Sequence, residues 1–243
     1  MTYNIHGGVG TDGTYDPQRT VRVIREASPA ILGLQEVWQH TDGRKGVLDV
    51  LLEKMPEHQI LFLRTLSDTR GDYGNALVTR HPLLDHVDVS LDPENGTRSG
   101  RNAEARRAIF ARLDVKGRPV WIVVTHLAVE GWARSQQAET LLAAIETYTN
   151  HRREPVIFMG DLNEWRVPNA FLRRLDRTFS KHVARPTFPA RFPFIPLDRM
   201  WLSKAVQRDR VWVHRSHSSR RASDHLPLCV ECRIPSTSTA AIQ

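Results

Sequence analysis

Cysteine is scarce in this chain of 243 residues, which contains only Cys229 and Cys232, in the segment LPLCVECRI. Residues three apart on a strand face opposite sides of a sheet, so these two thiols cannot easily pair. Two cysteines are also too few for a zinc ribbon, which needs four. We interpret both as reduced packing residues, which argues against a disulfide framework and a cysteine-based zinc site.

Long apolar runs are absent as well, since no segment approaches the roughly 18 apolar residues that a membrane span needs. No charged-then-apolar leader opens the chain, so we predict a soluble, cytoplasmic monomer without a transmembrane segment. Because the chain begins inside a predicted strand, MTYNIHGG, missing upstream residues and even an export signal stay an open alternative. The net charge of +7 favours anionic partners, although a general arginine bias would explain it equally well.

Strand patterns outnumber helix patterns along the chain. Four helices are predicted, at YDPQRTVRVIREASP, at residues 44–54, at ARSQQAETLLAAIETYTNH and near 168–176. In the first of them Asp16 can cap the helix and Pro17 takes the first helical position. Short β-branched segments bounded by Gly, Pro and Asp predict the strands, among them AILGLQEV (30–37), PVWIVVTHL and VIFMG. Many strands with few, separated helices favour two packed sheets with helices outside. No linker divides the chain, so we predict one domain over 1–234 and a disordered tail over 235–243.

Side chains that bind metals or move protons stand at the ends of the predicted buried strands. They are Asn4, Glu36, His126, Asp161, Asn163, Asp198, Asp224 and His225. One buried carboxylate needs only a hydrogen bond, but this many such groups at strand ends predict a shared rim. Carboxylates gathered there repel one another unless a cation lies between them. A set of Asp, Glu and Asn without cysteine suits a hard divalent ion.

Two segments place such groups close together in the sequence. In GDLNEW, Asp161 and Asn163 are two apart, so on a strand they face the same side and can orient a water and a phosphoryl oxygen. In SDHLPL, Asp224 and His225 are adjacent, so one can reach a metal while the other turns elsewhere. Asp198 is the natural partner that holds His225 in one tautomer and makes it more basic.

An ordered set of segments then resembles a known family. The segments are TYNIHGG, LQEV, YGNALVTRHPL, EARRAIFARLDV, VVTHL, GDLNEW, LDRMW and SDHLPL. Together they resemble the signatures of the endonuclease/exonuclease/phosphatase superfamily, the DNase-I-like fold, over nearly the whole chain. The resemblance implies a four-layered α/β/β/α sandwich of two packed mixed sheets with outer helices. It also implies hydrolysis of phosphoester bonds with Mg²⁺ (or Mn²⁺).

The resemblance implies a role for each matching residue. Glu36 matches the metal-binding glutamate, Asn4 the asparagine beside it, and Asp224 a metal-site aspartate. Asp161 matches the aspartate that orients or activates the attacking water, and Asn163 the asparagine that contacts the scissile phosphate.

Five further positions match the family pattern. His225 matches the catalytic histidine, and Asp198 the aspartate that polarises it. His126 matches the second histidine of DNase-I-like and sphingomyelinase-like members, where it resembles a general acid or a phosphate contact. Asn75 and Arg106 match rim positions that bind substrate.

The implied chemistry needs one group to take a proton from water and another to protonate the leaving oxygen, while a metal neutralises the phosphate. We favour Asp161 as base with His126 or His225 as acid; His225 as base stays open. The sequence thus predicts a divalent-metal-dependent phosphodiesterase, nuclease-like or phospholipid-directed. A phosphomonoesterase on a small or lipid phosphate and a non-catalytic phosphate-binding module are the alternatives.

Two segments bear on whether the substrate is nucleic acid, phospholipid or a small molecule. Basic side chains suited to nucleic acid are Arg98 and Arg101 in the long loop between Asp92 and Ala105, with Arg106, Arg107, Arg220 and Arg221. A solvated connection and a solvated face explain them as well. A lipid substrate needs an exposed apolar lip, which FPARFPFIP (188–196) can form unless its aromatic rings pack inward.

Overall fold

The computed structural model of the chain describes residues 1–92, 105–149, 154–166 and 169–235. Arg98 and Arg101 of the predicted basic loop lie outside the described residues, and so does the predicted tail from residue 236 onward. No helix in these ranges is long and apolar enough to cross a membrane.

The described residues form many strands and a few separated helices. The strands are β1 (Thr2–Asn4), β2 (Ile31–His40), β3 (Gln59–Asp68), β4 (Gly71–Thr79), β5 (Leu83–Ser90), β6 (Arg107–Asp114), β7 (Pro119–His126), β8 (Val156–Asp161), β9 (Lys181–Ala184), β10 (Asp198–Leu202), β11 (Gln207–Val213) and β12 (Leu228–Arg233). The helices are α1 (Pro17–Ala27), α2 (Val47–Lys54), α3 (Gly131–Tyr148), α4 (Ala170–Thr178) and α5 (Ser219–Ala222), with a short 3₁₀ helix at His6–Gly8.

The strands assemble into two mixed sheets of six. The first has the order β11-β12-β1-β2-β4-β3 and the second β5-β6-β7-β8-β10-β9. Only β1 with β2 and β7 with β8 run parallel among the pairs that the described residues form. The sheets are therefore mixed, as predicted, and each contains one parallel pair near its centre.

Three apolar clusters fill the spaces between four layers. Leu77 of the first sheet and Met159 of the second belong to the cluster between the sheets. Val21 of α1 and Leu51 of α2 pack on the outer face of the first sheet. The outer face of the second sheet is covered by α3 and α4 through residues such as Leu141. This layering confirms the predicted α/β/β/α sandwich.

The start of α1 shows how local sequence sets an element. The Asp16 carboxylate accepts a hydrogen bond from the backbone N–H of Arg19 at 3.0 Å, and Pro17 occupies the first helical position, as predicted. Val21 and Ile24 then fall on the buried face, because residues three and four apart share one side of a helix.

The register of the strands brings the predicted site residues together. In the second sheet His126 at the end of β7 lies opposite Asp161 at the end of β8, and Asp161 lies opposite Asp198 at the start of β10. In the first sheet β1 ends at Asn4. These strand ends meet at one rim of the sandwich, which is where the sequence predicts a site.

Glu36 reaches the rim by a different route from the one predicted. The strand β2 does not end at Val37 but continues to His40, so Glu36 lies inside it. Pairing of β2 with β4 is interrupted between Leu34 and Val37, and Glu36 has a positive φ of 60°. A β-bulge of this kind turns a side chain out of the regular alternation, which explains how a mid-strand glutamate joins the site.

Candidate active site

Asn4 joins the two carboxylates at the centre of the rim. Its amide nitrogen Nδ2 donates to Glu36 Oε1 at 2.8 Å and to Asp161 Oδ2 at 3.0 Å. Its amide oxygen accepts the backbone N–H of His6 at 3.0 Å, which fixes the orientation of the amide. In this arrangement Asn4 holds Glu36 and Asp161 close together, and its own oxygen is already engaged; its role as a metal ligand stays a prediction.

Asp161 and Asn163 lie in one tight turn. The Asp161 Oδ1 atom accepts the backbone N–H of Asn163 at 2.9 Å, and Asn163 has a positive φ of 50°. The strand β8 ends at Asp161, so the two side chains do not share a face by strand alternation. A left-handed turn brings them to the same place instead, a conformation that asparagine tolerates better than most residues.

Asn163 also contacts the second histidine. Its Nδ2 donates to the carbonyl oxygen of Leu127 at 3.0 Å and lies 3.1 Å from Nε2 of His126. Burial lowers the pKa of His126 well below its usual range, and the charges of Arg106 and His225 lower it further. His126 is therefore neutral at pH 7, with Nε2 as the acceptor of the Asn163 amide.

His225 forms the most strongly held pair of the site. Its Nδ1 atom donates to Asp198 Oδ2 at 2.8 Å, and the Thr187 hydroxyl donates to the same oxygen at 2.6 Å. Burial lowers the pKa of His225, but the carboxylates of Asp198 and Asp161 outweigh burial and raise the pKa to about 10. His225 is therefore an imidazolium at neutral pH, and its other nitrogen, Nε2, lies 3.7 Å from Asp161 Oδ2.

Asp161 lies between the two histidines. Its Oδ2 atom is 3.8 Å from His126 Nε2 as well as 3.7 Å from His225 Nε2. Burial raises the pKa of Asp161 to about 6, against the opposing effect of the His225 charge and with a further contribution from Asp198. Near pH 7 the metal-free site thus contains an ionised Asp161 beside a protonated His225.

We expect Asp198→Asn to lower the pKa of His225 in the metal-free protein. Without the carboxylate, burial dominates and disfavours the imidazolium, so the ring loses its proton well below pH 10. Nuclear magnetic resonance of the imidazole nitrogens, assigned by comparison with His225→Ala, measures this titration. Thr187→Val is the control, because it removes only a hydrogen bond to the same carboxylate and leaves its charge. An unchanged titration in Asp198→Asn would contradict the electrostatic account.

A cavity of about 480 Å³ opens over these groups. Its lining includes eight of the predicted site residues: Asn4, Glu36, Arg106, His126, Asp161, Asn163, Asp224 and His225. Asp198 lies behind His225 and is fully buried. Asn75 is also buried but is not part of the lining, and its Nδ2 donates to the carbonyl oxygen of Arg107 at 3.4 Å. The structure thus brings nine of the ten predicted residues to the cavity or to a side chain that lines it.

Two groupings in the site have the donor atoms that a metal ion requires. Asp161, Asp198 and His225 have ligand atoms within 4.8 Å of one another. In that group, however, Asp198 Oδ2 already accepts hydrogen bonds from His225 and Thr187, so Asp198 serves to hold His225. The carboxylates of Glu36, Asp161 and Asp224 also line the cavity, an all-oxygen set that suits a hard divalent ion, although their oxygens are not gathered within 4.8 Å as those of the first group are. Two carboxylates held on one amide fit a site built around a cation.

Several residues of the site were missed by reasoning from the sequence. Thr187 supports Asp198, and Tyr73 and Trp165 line the cavity. Trp165 directly follows GDLNE, and Tyr73 is the first residue of YGNALV. Their position next to these motifs is the feature of the sequence that could have identified them as site residues. No comparable signal marks Thr187, because its contact with Asp198 depends on the path of the chain between β9 and β10.

A buried ion pair that the sequence did not reveal fixes two cavity walls. Arg134 Nε donates to Glu164 Oε2 at 3.1 Å, and Arg134 Nη1 donates to the carbonyl oxygen of Ala128 at 3.0 Å. These bonds connect α3 to the loops that follow β7 and β8, which supply Val129 and Trp165 to the lining. The cavity therefore has walls held by buried, charge-assisted hydrogen bonds.

Comparisons with known proteins agree with this architecture. The model of the endonuclease/exonuclease/phosphatase family matches residues 1–225. The uncharacterized protein YbhP of Escherichia coli (strain K12) is 28% identical, over 96% of this chain and 95% of that protein. The human Nocturnin catalytic domain, solved with a bound sulfate anion, superposes with a TM-score of 0.75 at 24% identity, over 96% of this chain and 93% of that one. A mannosyl-6-phosphatase of Bacteroides thetaiotaomicron superposes with a TM-score of 0.73 at 18% identity, over 96% and 98% of the two chains.

Proposed function

The chain belongs to the endonuclease/exonuclease/phosphatase family, whose members hydrolyse phosphoester bonds, and from this premise we propose that it is a divalent-metal-dependent phosphodiesterase. The observation that supports the proposal most strongly is the pairing of opposite charges at one rim. Glu36 and Asp161 share the Asn4 amide, and an imidazolium at His225 lies with its Nε2 atom 3.7 Å from Asp161 Oδ2. The residues proposed to hold a metal and the proposed proton donor thus line the same cavity.

The metal would be held by the carboxylates of Glu36, Asp161 and Asp224. When bound, Mg²⁺ or Mn²⁺ neutralises the charge of the phosphate and stabilises the negative oxygens that form during hydrolysis. Asn4 keeps Glu36 and Asp161 at the spacing seen in the structure, and so acts on the metal through its ligands.

The remaining residues supply positioning and proton transfer. Asp161, ionised at neutral pH, accepts the proton of the attacking water. The Asn163 amide nitrogen contacts the Leu127 carbonyl oxygen and His126 Nε2, so Asn163 holds His126 in place, and its own contact with the phosphate stays a prediction. His225, protonated and held by Asp198, donates a proton to the leaving oxygen. We assign the acid role to His225 rather than His126, because His126 is neutral and its Nε2 is engaged by Asn163.

The whole chain is needed for this site. Its members extend from Asn4 near the start to His225 near the end, and both sheets contribute to it. We therefore propose a single catalytic domain over 1–234. A monomeric state and a cytoplasmic location stay predictions from the sequence.

The charge of the cavity favours a diester over a monoester. Among the residues that the structure describes, Arg106 is the one lysine or arginine side chain that lines it. A monoester dianion calls for more cationic contacts than a diester with a single charge. The mannosyl-6-phosphatase of the same fold makes a phosphomonoesterase the second candidate, and the bound sulfate of the Nocturnin domain is compatible with either.

Hydrolysis of two soluble compounds tests the proposal. We expect kcat/KM for bis(nitrophenyl) phosphate in Mg²⁺ to exceed that for nitrophenyl phosphate by at least about tenfold, since one unmatched charge costs more than ~1 kcal/mol. The same reactions in EDTA control for the metal. A preference for the monoester would replace the diesterase by a phosphatase, and hydrolysis of neither compound would contradict both.

A further inference from the structure

A hydrogen-bonded turn at residues 188–195, called here the Phe turn, projects two aromatic side chains from the protein. Phe192 is 79% exposed and Phe194 is 70% exposed, which makes them the most exposed of the large apolar side chains that the structure describes. The turn is closed by backbone hydrogen bonds from Phe194 N and Ile195 N to the Phe188 carbonyl oxygen, at 3.0 and 2.9 Å. The two phenylalanines form an exposed apolar patch on a hydrogen-bonded turn. Apolar patches of this kind commonly mark surfaces that bind a partner or a membrane.

The base of the Phe turn belongs to the active site. Phe188 and Ile195 line the cavity, and the Phe188 ring lies 5.0 Å from the His225 ring, measured between centroids. The backbone N–H of Ala190 donates to the Asp224 carbonyl oxygen at 2.6 Å. The sequence left open whether these aromatic residues pack inward or form an exposed lip. The structure divides them, with Phe188 against the site and Phe192 and Phe194 in solvent.

The charged residues in the chain segment that contains the Phe turn are all basic. Between Asp176 and Asp198 the chain has no acidic residue but has four basic ones: Arg177, Lys181, Arg185 and Arg191. Arg185 and Arg191 flank the turn and its tip, and both are exposed. Exposed aromatic side chains beside exposed arginines are typical of segments that lie in the headgroup region of an anionic membrane.

Two further exposed apolar side chains line the same cavity. Trp165 lines the cavity and is exposed over 46% of its surface, and Arg166 beside it is exposed. Val129, on the neighbouring loop, also lines the cavity with more than half of its surface in solvent. The mouth of the cavity thus contains exposed apolar side chains with Arg166 beside one of them, together with the partly exposed carboxylate of Asp224. Nucleic acid would need a track of cations through the site itself, where Arg106 alone is present among the described lysines and arginines.

We propose that the Phe turn docks the protein on an anionic lipid surface and that its substrate is a phosphoester of a membrane lipid. The docking stands on the exposed aromatic and basic residues, whereas the choice of substrate rests on the proposed function. In this arrangement Phe192 and Phe194 enter the acyl boundary, Arg185 and Arg191 contact anionic headgroups, and the apolar cavity wall faces the lipid that enters it.

Vesicle binding by the full chain tests the docking. The variant Phe192→Ser/Phe194→Ser is compared with the wild type and with Leu52→Ser/Leu84→Ser, whose leucines are 50% and 54% exposed elsewhere on the surface. Sedimentation with vesicles of phosphatidylglycerol and phosphatidylcholine, or of phosphatidylcholine alone, measures partitioning. We expect the phenylalanine variant to bind the anionic vesicles at least about tenfold more weakly, while the leucine variant binds as the wild type does.

The hydrolysis of a soluble diester separates the two proposals. Both double variants are expected to cleave bis(nitrophenyl) phosphate at the wild-type rate, because none of their altered side chains lines the cavity. Equal vesicle binding by all three proteins would overturn the docking while leaving the diesterase intact. Wild-type binding to vesicles without hydrolysis of any diester would overturn the proposed function and leave the docking. Preference for single-stranded DNA over anionic vesicles, lost in the phenylalanine variant, would replace lipid by nucleic acid.

Discussion

Replacement of His225 by alanine lowers kcat for a soluble phosphodiester by about 10²–10⁴-fold, the range that a positioned proton donor contributes. His225 is the protonated group nearest to Asp161, with its Nε2 atom at 3.7 Å, and Asp198 holds it in place. The other histidine of the cavity, His126, is neutral and engaged by Asn163, so it does not take over the role. KM is expected to change little, because the proton is transferred only as the ester bond breaks.

The effect of His225→Ala is separated from misfolding in two ways. His58→Ala is the matched control, since His58 is a buried histidine outside the cavity. Added imidazole should restore part of the rate of His225→Ala by occupying the space of the lost ring. A variant that keeps its circular dichroism spectrum and its full rate would refute the assignment of His225 as the acid.

Asp161→Asn is expected to lower kcat by about 10³-fold or more, because the change removes the base and one of the carboxylates assigned to the metal. Asp161 is contacted by Asn4, by the backbone of Asn163 and by His225, so every part of the proposed mechanism meets at this side chain. The amide has the same shape as the carboxylate and loses one of its two accepted hydrogen bonds, so we expect the fold to be preserved. The concentration of Mg²⁺ that gives half-maximal activity should rise at the same time.

Steady-state kinetics at several Mg²⁺ concentrations measures both effects of Asp161→Asn. Asp209→Asn makes the same chemical change in a surface ion pair with Arg233, outside the cavity, and should leave the rate unchanged. If Asp161→Asn kept a rate within about tenfold of the wild type, neither general-base catalysis nor a metal at this carboxylate would be supported.

The sandwich architecture was predictable because its signals are local and repeated. The helix from Pro17 begins where its Asp16 cap predicts, and β-branched segments became strands of two sheets. The pairing of particular strands was not predictable, since hydrogen bonds between strands distant in sequence depend on the tertiary fold. The parallel register that places His126 opposite Asp161 belongs to this class.

The candidate site was predictable as a set of residues but not as a geometry. Most of the site residues could be identified because they stand at the ends of predicted strands. The bulge at Glu36 and the left-handed turn at Asn163 could not be predicted from the hydrophobic periodicity of the sequence. The sequence also gave no reason to expect that Asn4 would donate to two carboxylates at once. Such contacts join residues more than 30 positions apart, so only the folded chain reveals them.

The most direct test of the account is the hydrolysis of bis(nitrophenyl) phosphate by protein stripped with EDTA, before and after Mg²⁺ is added back. His225→Ala, purified in parallel, is assayed under both conditions. The account predicts that the stripped wild type is inactive, that Mg²⁺ restores its rate, and that His225→Ala stays nearly inactive throughout. A stripped wild type that retains its full rate, or a His225→Ala protein that equals the wild type in Mg²⁺, would contradict it.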